Sequence, residues 1–431
     1  MSKITLSAAL VLDVIKALVA DELKAIRQVG NHQLSPDSWT AETQISPTEQ
    51  TSTQDASNTL AVDSLEWLAM ASRVMQFFQL NDSGYEDYLL RYKTLGGWAE
   101  LVQTARKEHS SDITLQTSGS TGSAQAVTHS FEALATEAHT FFQYFELRLG
   151  QQPERIIALT PCHHIYGFIF TVLLAGLLPA NKQQVVRGLK AFSTVQSGKL
   201  KPGDIVIGVP HIWQQLQRSG VQFPADVCAV TSTGPCPAEI AAGLQQQGLK
   251  HFIEIYGSTE TAGIGMRATH TEPFELLPRW NREPDAADQD TLVDVTTNAK
   301  VTLGDHLQWL NQRQFLPQGR KDKAVQVAGT NVYPTQVEQH LCQHPEVAKA
   351  SVRLMSANEG NRLKAFIVPK QQSSGAAGEH DQLLAKLQNW CQTLSAAAQP
   401  KHFTFGNQLP MNSMGKATDW PISAATEDVS E

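Results

Sequence analysis

Cysteine, charge and long apolar runs are all scarce in this 431-residue chain, and each scarcity narrows the class of protein. The five cysteines are an odd number, lie far apart and form no Cys-x-x-Cys pair. This usage predicts reduced thiols and argues against a disulfide framework or a zinc site. The five are Cys162, Cys228, Cys236, Cys342 and Cys391.

Charged residues make up 18% of the chain and sum to a net charge of −8, so we expect no nucleic-acid partner. The apolar run Ile4–Leu12 leads into Asp13 and Lys16, which is typical of an amphipathic helix and not of a signal peptide. The run Ile169–Leu178 is too short to cross a bilayer. We therefore predict a cytoplasmic protein with no membrane span.

The first hundred residues carry 13 acidic and 7 basic side chains, and so hold six of the eight net negative charges. Apolar spacing predicts helices over 7–28 and 63–78, separated by a flexible polar loop over 35–59. A helical module over residues 1–107 follows from this pattern. The predicted apolar stripe of the second helix is Leu65, Leu68, Ala71, Met75 and Phe78.

Beyond residue 108, short apolar runs alternate with helical segments, which is the pattern of a wound α/β sheet. After about residue 320 the pattern begins afresh with a short helix, a hairpin and a further helix. The sequence thus predicts an α/β core over 108–319 and a small α+β domain over 320–431. The predicted buried strands are Ile156–Leu159, Asp204–Gly208, Val227–Val230 and Phe252–Tyr256.

Hydroxyls and glycines are concentrated in one short loop. Small residues let successive N–H groups point into one concavity, and hydroxyls add donors, which suits a polyphosphate. The loop lacks the lysine of a P-loop and the Gly-x-Gly-x-x-Gly of a dinucleotide fold. A polar surface turn is the alternative, and residues 126–130 after the loop suggest the start of a helix. The loop consists of Thr117, Ser118, Gly119, Ser120, Thr121 and Gly122.

A second cluster, Tyr256-Gly257-Ser258-Thr259-Glu260, follows the last predicted strand of the core. Ligands of α/β sheets bind beyond the carboxyl ends of the strands, so this position suits a site. Tyr256 can stack on a base, Thr259 can donate to a phosphate and Glu260 can hold Mg²⁺. A strand-to-loop turn with a solvated glutamate is the alternative.

Two later segments add polar groups at turns. An aspartate at Asp305 can accept both hydroxyls of a ribose, and Arg320 can donate to the same sugar. Lys416 is a single lysine in a Gly-bearing loop. Each of the three, taken alone, equally fits a surface charge.

In this order and spacing, the four clusters resemble the adenylate-forming superfamily of acyl-CoA synthetases, aryl-CoA ligases, luciferases and peptide-synthetase adenylation domains. The resemblance covers about residues 113–420 and implies an adenylate-forming ligase fold with a mobile C-terminal domain. It implies that Thr117–Gly122 is the phosphate loop and that Tyr256–Glu260 binds nucleotide and magnesium. It further implies these roles: His164 at the acyl pocket, Gly234 against adenine, Asp305 and Arg320 on the ribose, Asp322 as hinge and Lys416 as catalytic lysine.

The resemblance implies a two-step reaction that uses ATP and Mg²⁺. A carboxylate attacks the α-phosphate to give an acyl-adenylate and pyrophosphate, and a thiol then displaces AMP. Two anions must meet in the first step, so Lys416 can bridge carboxylate and α-phosphate while Glu260 holds the metal. For the second step the family rotates its terminal domain, which removes the lysine and admits the thiol.

The chain departs from the family at several positions. Ala124-Gln125 stands where the phosphate loop usually ends in Pro-Lys, and Gln326 and Ala328 stand where lysine is common. The stretch between Gly265 and Asp305 is short, and the usual first α/β subdomain does not fit before residue 117.

The module in its place resembles an acyl carrier protein. Leu60–Leu65 is similar to the carrier signature around a modified serine, and Thr94–Trp98 is similar to the start of its final helix. Ser64 would then carry phosphopantetheine. The alternative is an ordinary capping box, with Asp63 as N-cap and Glu66 three residues on.

We predict an ATP-dependent ligase that activates an aryl or acyl carboxylate and transfers it to the thiol of an acyl carrier protein. By family analogy it would serve fatty-acid-like or aryl-polyene biosynthesis with a hydroxybenzoate-type acid. A ligase that uses free coenzyme A is the first alternative. A non-catalytic relative that only binds a carrier protein is the second.

Overall fold

The structure is a computed structural model, and it describes residues 4–27, 34, 36–47, 58–81, 83–109, 111–116, 125–179, 185–268, 270–283, 290–321, 324–356, 359–370, 379–410 and 419–422. The chain forms two compact units. The first consists of Met1–Thr117, Ala126–Leu303 and Leu307–Leu316, and the second of the remaining residues.

The helices fall where apolar residues recur at helical spacing, and two are preceded by a side chain that caps the first turn. In chain order they are α1 (Ala8–Arg27), α2 (Ser64–Phe77), α3 (Glu86–Leu89), α4 (Leu95–Glu108), α5 (Phe131–Leu149), α6 (Ile165–Phe168), α7 (Leu174–Leu177), α8 (Gly188–Gln196), α9 (Pro210–Arg218), α10 (Ala238–Gln246), α11 (Pro334–Cys342) and α12 (Glu379–Trp390). A buried π-helical segment, Ile169–Leu173, joins α6 to α7.

The strands belong to one large sheet and several small ones. They are β1 (Gln44–Pro47), β2 (Thr59–Val62), β3 (Ile113–Gln116), β4 (Ala126–His129), β5 (Arg155–Ala158), β6 (Val185–Val186), β7 (Asp204–Gly208), β8 (Cys228–Thr231), β9 (His251–Ser258), β10 (Ala262–Arg267), β11 (Phe274–Leu276), β12 (Trp280–Arg282), β13 (Thr291–Asp294), β14 (Lys300–Thr302), β15 (Asp305–Trp309), β16 (Gln314–Arg320), β17 (Val325–Val327), β18 (Thr330–Val332), β19 (Val347–Leu354), β20 (Leu363–Pro369) and β21 (His402–Phe405).

The large sheet has nine strands in the order β15-β16-β11-β10-β9-β8-β7-β5-β6. At its centre β5, β7, β8 and β9 pair in parallel. Strands β7 and β8 are buried along their whole length, as continuous apolar strands must be when both faces of a sheet are covered. The four predicted strands are confirmed. Because they run parallel, their carboxyl ends lie at one edge of the sheet.

The first hundred residues are helical, as predicted, but they do not form a separate unit. Buried side chains of α1, α2 and α4 belong to the same hydrophobic core as residues of α5, β5, β7 and β9. The separate carrier-like module is therefore not seen in the structure.

The predicted apolar stripe of α2 has the correct period but the wrong phase at its start. Leu65 is 77% exposed and Leu68 is 49% exposed. The buried stripe includes two polar residues, because Glu66 pairs with Arg27 of α1 at 2.6 Å and Arg73 lies 4.0 Å from Glu22. Hydrophobicity alone misplaces a face that contains compensated charges.

Two local predictions are wrong. Residues 126–130 do not start a helix: β4 pairs with β3 as an antiparallel hairpin, and α5 begins only at Phe131. The polar stretch 35–59 is not wholly loop, because β1 pairs in parallel with β2. In both places tertiary pairing overrides a weak local preference.

The second unit has its own core. Strands β19 and β20 form the predicted antiparallel hairpin, and β21 joins β20 in parallel. Helices α11 and α12 contribute Val337, Leu341, Leu383 and Leu387 to the core beneath this sheet. The prediction of a small α+β fold is confirmed.

No helix within the described ranges is long and apolar enough to cross a membrane.

The capping box before α2 gives a stability prediction. The Asp63 carboxylate accepts the N–H of Glu66 at 2.8 Å, and the Glu66 carboxylate accepts the N–H of Asp63 at 3.0 Å. We expect Asp63→Ala to lower the free energy of unfolding by about 1 kcal/mol in urea titrations followed by circular dichroism. Asp63→Asn keeps a side-chain acceptor and is the matched control. Equal losses in both variants would contradict a capping role.

Candidate active site

The hydroxyl-rich loop, Thr117, Ser118, Gly119, Ser120, Thr121 and Gly122, lies outside the described residues. Its two flanking strands are described. Gln116 at the end of β3 pairs with Ala126 at the start of β4. The chain therefore enters and leaves the loop at neighbouring points, which is the arrangement that a ligand-binding loop on a hairpin requires.

The turn between β9 and β10 carries Thr259 and Glu260, and its backbone is tightly packed. A Cβ atom at Gly257 would lie 2.1 Å from the carbonyl oxygen of Ala262, so only glycine fits there. Ala262 itself has a left-handed φ of 59°. The Ser258 N–H donates to the Thr261 hydroxyl at 3.2 Å. Glu260 is exposed at the tip of this constrained turn.

His129 ties this turn to the hairpin that carries the hydroxyl-rich loop. Its Nε2 lies 2.6 Å from the carbonyl oxygen of Thr259, and the ring is buried. Burial lowers the pKa of His129 below its ordinary value, which favours the neutral ring. Because a carbonyl only accepts, Nε2 carries the proton and donates it. One buried hydrogen bond therefore fixes Thr259 relative to the end of β4.

A second side chain holds the same turn from α5. The Glu137 carboxyl is fully buried and accepts the N–H of Gly263 at 3.0 Å. The indole N–H of Trp280 donates to the Gly263 carbonyl at 2.7 Å, so both backbone groups of this glycine are satisfied. Arg279 lies 3.6 Å from Glu137 and forms a closer pair with Asp294 at 2.8 Å. Burial raises the pKa of Glu137 to about 8.

The predicted adenine-contacting turn follows β8 and is fastened to β9. Thr233, just before Gly234, has a φ of 76°, an unusual conformation for a β-branched residue. The Ser232 hydroxyl donates to the Ile255 carbonyl at 2.9 Å. The Cys236 N–H donates to the buried Glu254 carboxylate at 3.0 Å. This turn and the Thr259 turn therefore lie at the ends of adjacent parallel strands.

Tyr256 lies against aromatic rings of the neighbouring strands. Its ring centroid is 5.6 Å from that of Phe274 and 5.4 Å from that of Phe315. The ring is only partly buried. Stacking of a base on Tyr256 stays a prediction.

His164 occupies the N-cap position of α6 without a capping hydrogen bond from its side chain, and it is exposed. The position of α6 is set by Tyr166, whose buried hydroxyl lies 3.0 Å from the Gly208 carbonyl and 2.9 Å from the Val230 carbonyl. Gly208 is the last residue of β7 and Val230 is the last but one of β8, so α6 and His164 lie near the carboxyl edge of the sheet. Its neighbour His163 is buried, 3.6 Å from Asp21 of α1.

The two predicted ribose-binding residues are neighbours in the second unit. Arg320 Nη1 lies 3.6 Å from Asp305 Oδ1, and both side chains are about three-quarters buried. The Lys321 N–H donates to the Gly304 carbonyl at 2.8 Å, which holds the two turns together. Asp322 and Lys416 lie outside the described residues.

Glu260 fits a magnesium ion that is bound mainly through a substrate. No group of three or more metal-ligating side chains occurs among the described residues. One exposed carboxylate at a rigid turn is what Mg²⁺ takes from a protein when phosphate oxygens and water complete its octahedral shell. The chemistry of the donor therefore suits Mg²⁺ carried in with a nucleotide.

Sequence reasoning missed the residues that support the turn. His129 and Glu137 contact it from segments 130 and 126 residues away. Arg279 lies in a stretch without a recognisable motif. A buried glutamate in the apolar face of α5 was the one available signal, because such a residue needs a partner.

Family comparison agrees with this geometry. The model of the AMP-binding enzyme family matches residues 10–301, and the model of the AMP-binding enzyme C-terminal domain matches residues 336–416. The first match includes α1, α2 and α4, in agreement with the shared core of the first unit. The chain belongs to the AMP-binding enzyme family, which confirms the predicted family.

Two relatives at more than 30% identity are ligases. A 4-coumarate–CoA ligase of Halorhodospira halophila is 37% identical over 360 residues, which cover 83% of this chain and 88% of that protein. A 4-coumarate–CoA ligase of Cereibacter sphaeroides is 33% identical over 413 residues, which cover 94% of each chain. The predicted class, an AMP-forming acid–thiol ligase, agrees with these relatives.

Solved structures share the fold. An amide bond synthetase from Marinactinospora thermotolerans matches with a TM-score of 0.55 at 14% identity, covering 96% of this chain and 98% of that one. A double mutant of o-succinylbenzoate CoA synthetase from Bacillus subtilis matches with a TM-score of 0.54 at 18% identity, covering 94% and 91%. The predicted adenylate-forming ligase fold is confirmed.

The raised pKa of Glu137 makes stability depend on pH. The folded state keeps this carboxyl protonated to about pH 8, whereas the unfolded chain releases the proton near its ordinary value of 4.5. Its contribution is therefore fully present below pH 4.5 and is lost as the pH rises toward 8, at up to about 1.4 kcal/mol per pH unit.

Urea unfolding at several pH values between 5 and 9 tests this assignment. Glu137→Gln keeps an acceptor for the Gly263 N–H but does not titrate, so its free energy of unfolding should fall less steeply with pH than that of the wild type. Parallel curves for the two proteins would show that Glu137 titrates alike in the folded and unfolded states.

Proposed function

We propose that this protein activates an aromatic carboxylic acid with MgATP and transfers the acyl group from the adenylate to coenzyme A. The observation that carries the proposal is the 2.6 Å contact between His129 and the Thr259 carbonyl. It joins the hairpin of the hydroxyl-rich loop to the turn that presents Glu260. Two segments suited to phosphate and metal are thereby held together by a buried bond.

Each polar segment has a role in the first step. The N–H groups and hydroxyls of Thr117–Gly122 bind the β- and γ-phosphates, and Thr259 donates to the same group. Glu260 binds the Mg²⁺ that neutralises the phosphates, and Lys416 bridges the substrate carboxylate and the α-phosphate. When bound, the metal supplies charge neutralisation to the leaving pyrophosphate.

Recognition of the nucleoside uses three further places. Gly234 and the ring of Tyr256 bind the adenine. Asp305 accepts the ribose hydroxyls, and Arg320, 3.6 Å from it, donates to the same sugar.

Asp322 is the hinge for the change of conformation between the two steps.

The acyl pocket begins at His164, at the carboxyl edge of the sheet. Two relatives named 4-coumarate–CoA ligase, each at least 33% identical, support a hydroxylated aromatic acid of the cinnamate type as substrate. The same names support coenzyme A as acceptor over the carrier protein. Hydroxybenzoates and fatty acids remain the substrates to compare.

Pyrophosphate exchange into ATP across cinnamates, benzoates and fatty acids tests the first step. We expect exchange to be fastest with 4-hydroxycinnamate, and Lys416→Ala to lower it by about 10²–10³-fold, the usual cost of removing one transition-state donor. A wild type that exchanges with none of these acids would favour the non-catalytic, carrier-binding alternative. Equal rates for wild type and Lys416→Ala would remove Lys416 from the mechanism.

The acceptor is tested separately. With the preferred acid, we expect thioester formation from free coenzyme A to be at least tenfold faster than from a purified holo acyl carrier protein. Faster transfer to the carrier would reverse the assignment.

The carrier hypothesis requires that Ser64 can be modified. Ser64 is exposed at the first position of α2, so it is accessible to a modifying enzyme. Intact mass after incubation with a phosphopantetheinyl transferase and coenzyme A decides whether it is modified. We expect no added phosphopantetheine, since the family match and the shared core include α2. A mass increase that Ser64→Ala abolishes would support a carrier module.

A further inference from the structure

Lys364 is a fully buried lysine in β20 of the second unit. Its ammonium lies 3.1 Å from both Glu359 carboxylate oxygens and 3.0 Å from Asp419 Oδ1, and it donates to the Trp420 carbonyl at 2.6 Å. An ammonium without solvent is costly unless its protons are all paired. These three partners supply the acceptors that such a group needs.

Two of the three partners belong to the short segment 419–422. The Trp420 ring is buried, packs edge-on against Phe366 of β20 at 5.6 Å, and has its centroid 5.4 Å from Lys364 Nζ. Asp419, in contrast, is 60% exposed and forms an ion pair with Lys364. Lys364 and Phe366 therefore attach this segment to the central strand of the second unit's three-stranded sheet.

The attached segment follows Lys416 closely in the sequence. Only Ala417 and Thr418 separate Lys416 from Asp419. Three residue steps span at most about 11 Å of chain. The attachment at Lys364 thus limits the region that the Lys416 backbone can reach, whatever conformation the intervening residues adopt.

Lys386, in the same unit, forms an ordinary surface ion pair and serves as a comparison for Lys364. Lys386 lies 2.6 Å from Glu346, and both side chains are about half exposed. Such surface pairs contribute little to stability. Lys364 differs because it is buried and because its partners come from two separate segments of the chain.

We propose that Lys364 is a positioning residue for adenylation: it fixes the segment that follows Lys416 and thereby supports the proposed role of Lys416 in adenylate formation. This inference rests on the proposed role of Lys416. It predicts different effects on the rates of the two half-reactions, because the proposed role of Lys416 is in adenylate formation and not in the displacement of AMP by the thiol.

The test measures both half-reactions in Lys364→Met, with Lys386→Met as the matched control. Pyrophosphate exchange reports the first step, and thioester formation from chemically prepared acyl-adenylate and coenzyme A reports the second. We expect Lys364→Met to slow exchange tenfold to about a hundredfold, as small displacements of a reacting group do. The second step should stay within about threefold of wild type, and Lys386→Met should change neither.

Each outcome decides something. Equal losses in both steps, or exchange as fast as in Lys386→Met, would overturn the inference. Failure of the wild type to exchange, or unchanged exchange in Lys416→Ala, would instead refute the proposed function. Should Lys364→Met fail to fold, Asp419→Asn decides: it removes one exposed carboxylate charge from the cluster, and the inference requires it to slow exchange while sparing the second step.

Discussion

The parallel pairing of β5, β7, β8 and β9 decides which loops of this protein can act together. Each strand ends at the same edge, so the loops that contain His164, Gly234 and Thr259 lie along that edge although they are far apart in sequence. The Tyr166 hydroxyl, placed between the carbonyls of Gly208 and Val230, fastens the first of these loops to the ends of the two middle strands. The parallel pairing of these buried strands therefore brings the polar loops of the candidate site to one edge of the sheet.

Buried charges provide the second level of organisation. Glu254 accepts from the Cys236 N–H on one side and pairs with Arg267 at 2.6 Å on the other, so one carboxylate connects the turn after β8 to β10. Arg279 pairs with the buried Asp294 of β13 at 2.8 Å and lies 3.6 Å from Glu137 of α5, which is a neutral acceptor below about pH 8. Removing one member of such a pair costs more than the pair contributes, because the other charge stays buried. The site is thus held by groups that resist replacement one at a time.

The sequence predicted the elements whose patterns are local. The continuous apolar runs of the four parallel strands and the N-cap at Asp63 are readable without partners, and both are confirmed. The phase of α2 was not readable, because Glu66 and Arg73 look like surface residues until their partners on α1 are known. The strand β4 was missed for a similar reason: its four residues form a strand through pairing with β3.

The candidate site divides in the same way. Thr259, Glu260, Asp305 and Arg320 could be predicted as site residues because a motif is a pattern along the chain. His129 and Glu137 were not, since their contacts join segments more than a hundred residues apart. The hypothesis that Ser64 carries phosphopantetheine came from a short sequence pattern that an ordinary capping box also satisfies. A short sequence pattern can specify a local conformation without determining the function of the residues in it.

Two glycines at the base of the Glu260 turn limit how this protein can diversify. A Cβ atom at Gly257 would lie 2.1 Å from the Ala262 carbonyl, and one at Gly263 would lie 2.4 Å from Glu137 Oε1. Neither position can accept another side chain without moving backbone or a buried carboxyl. Exposed positions such as His164 carry no such restriction. In a mutant library, substitutions are therefore expected to be tolerated at such exposed positions and not at Gly257 or Gly263.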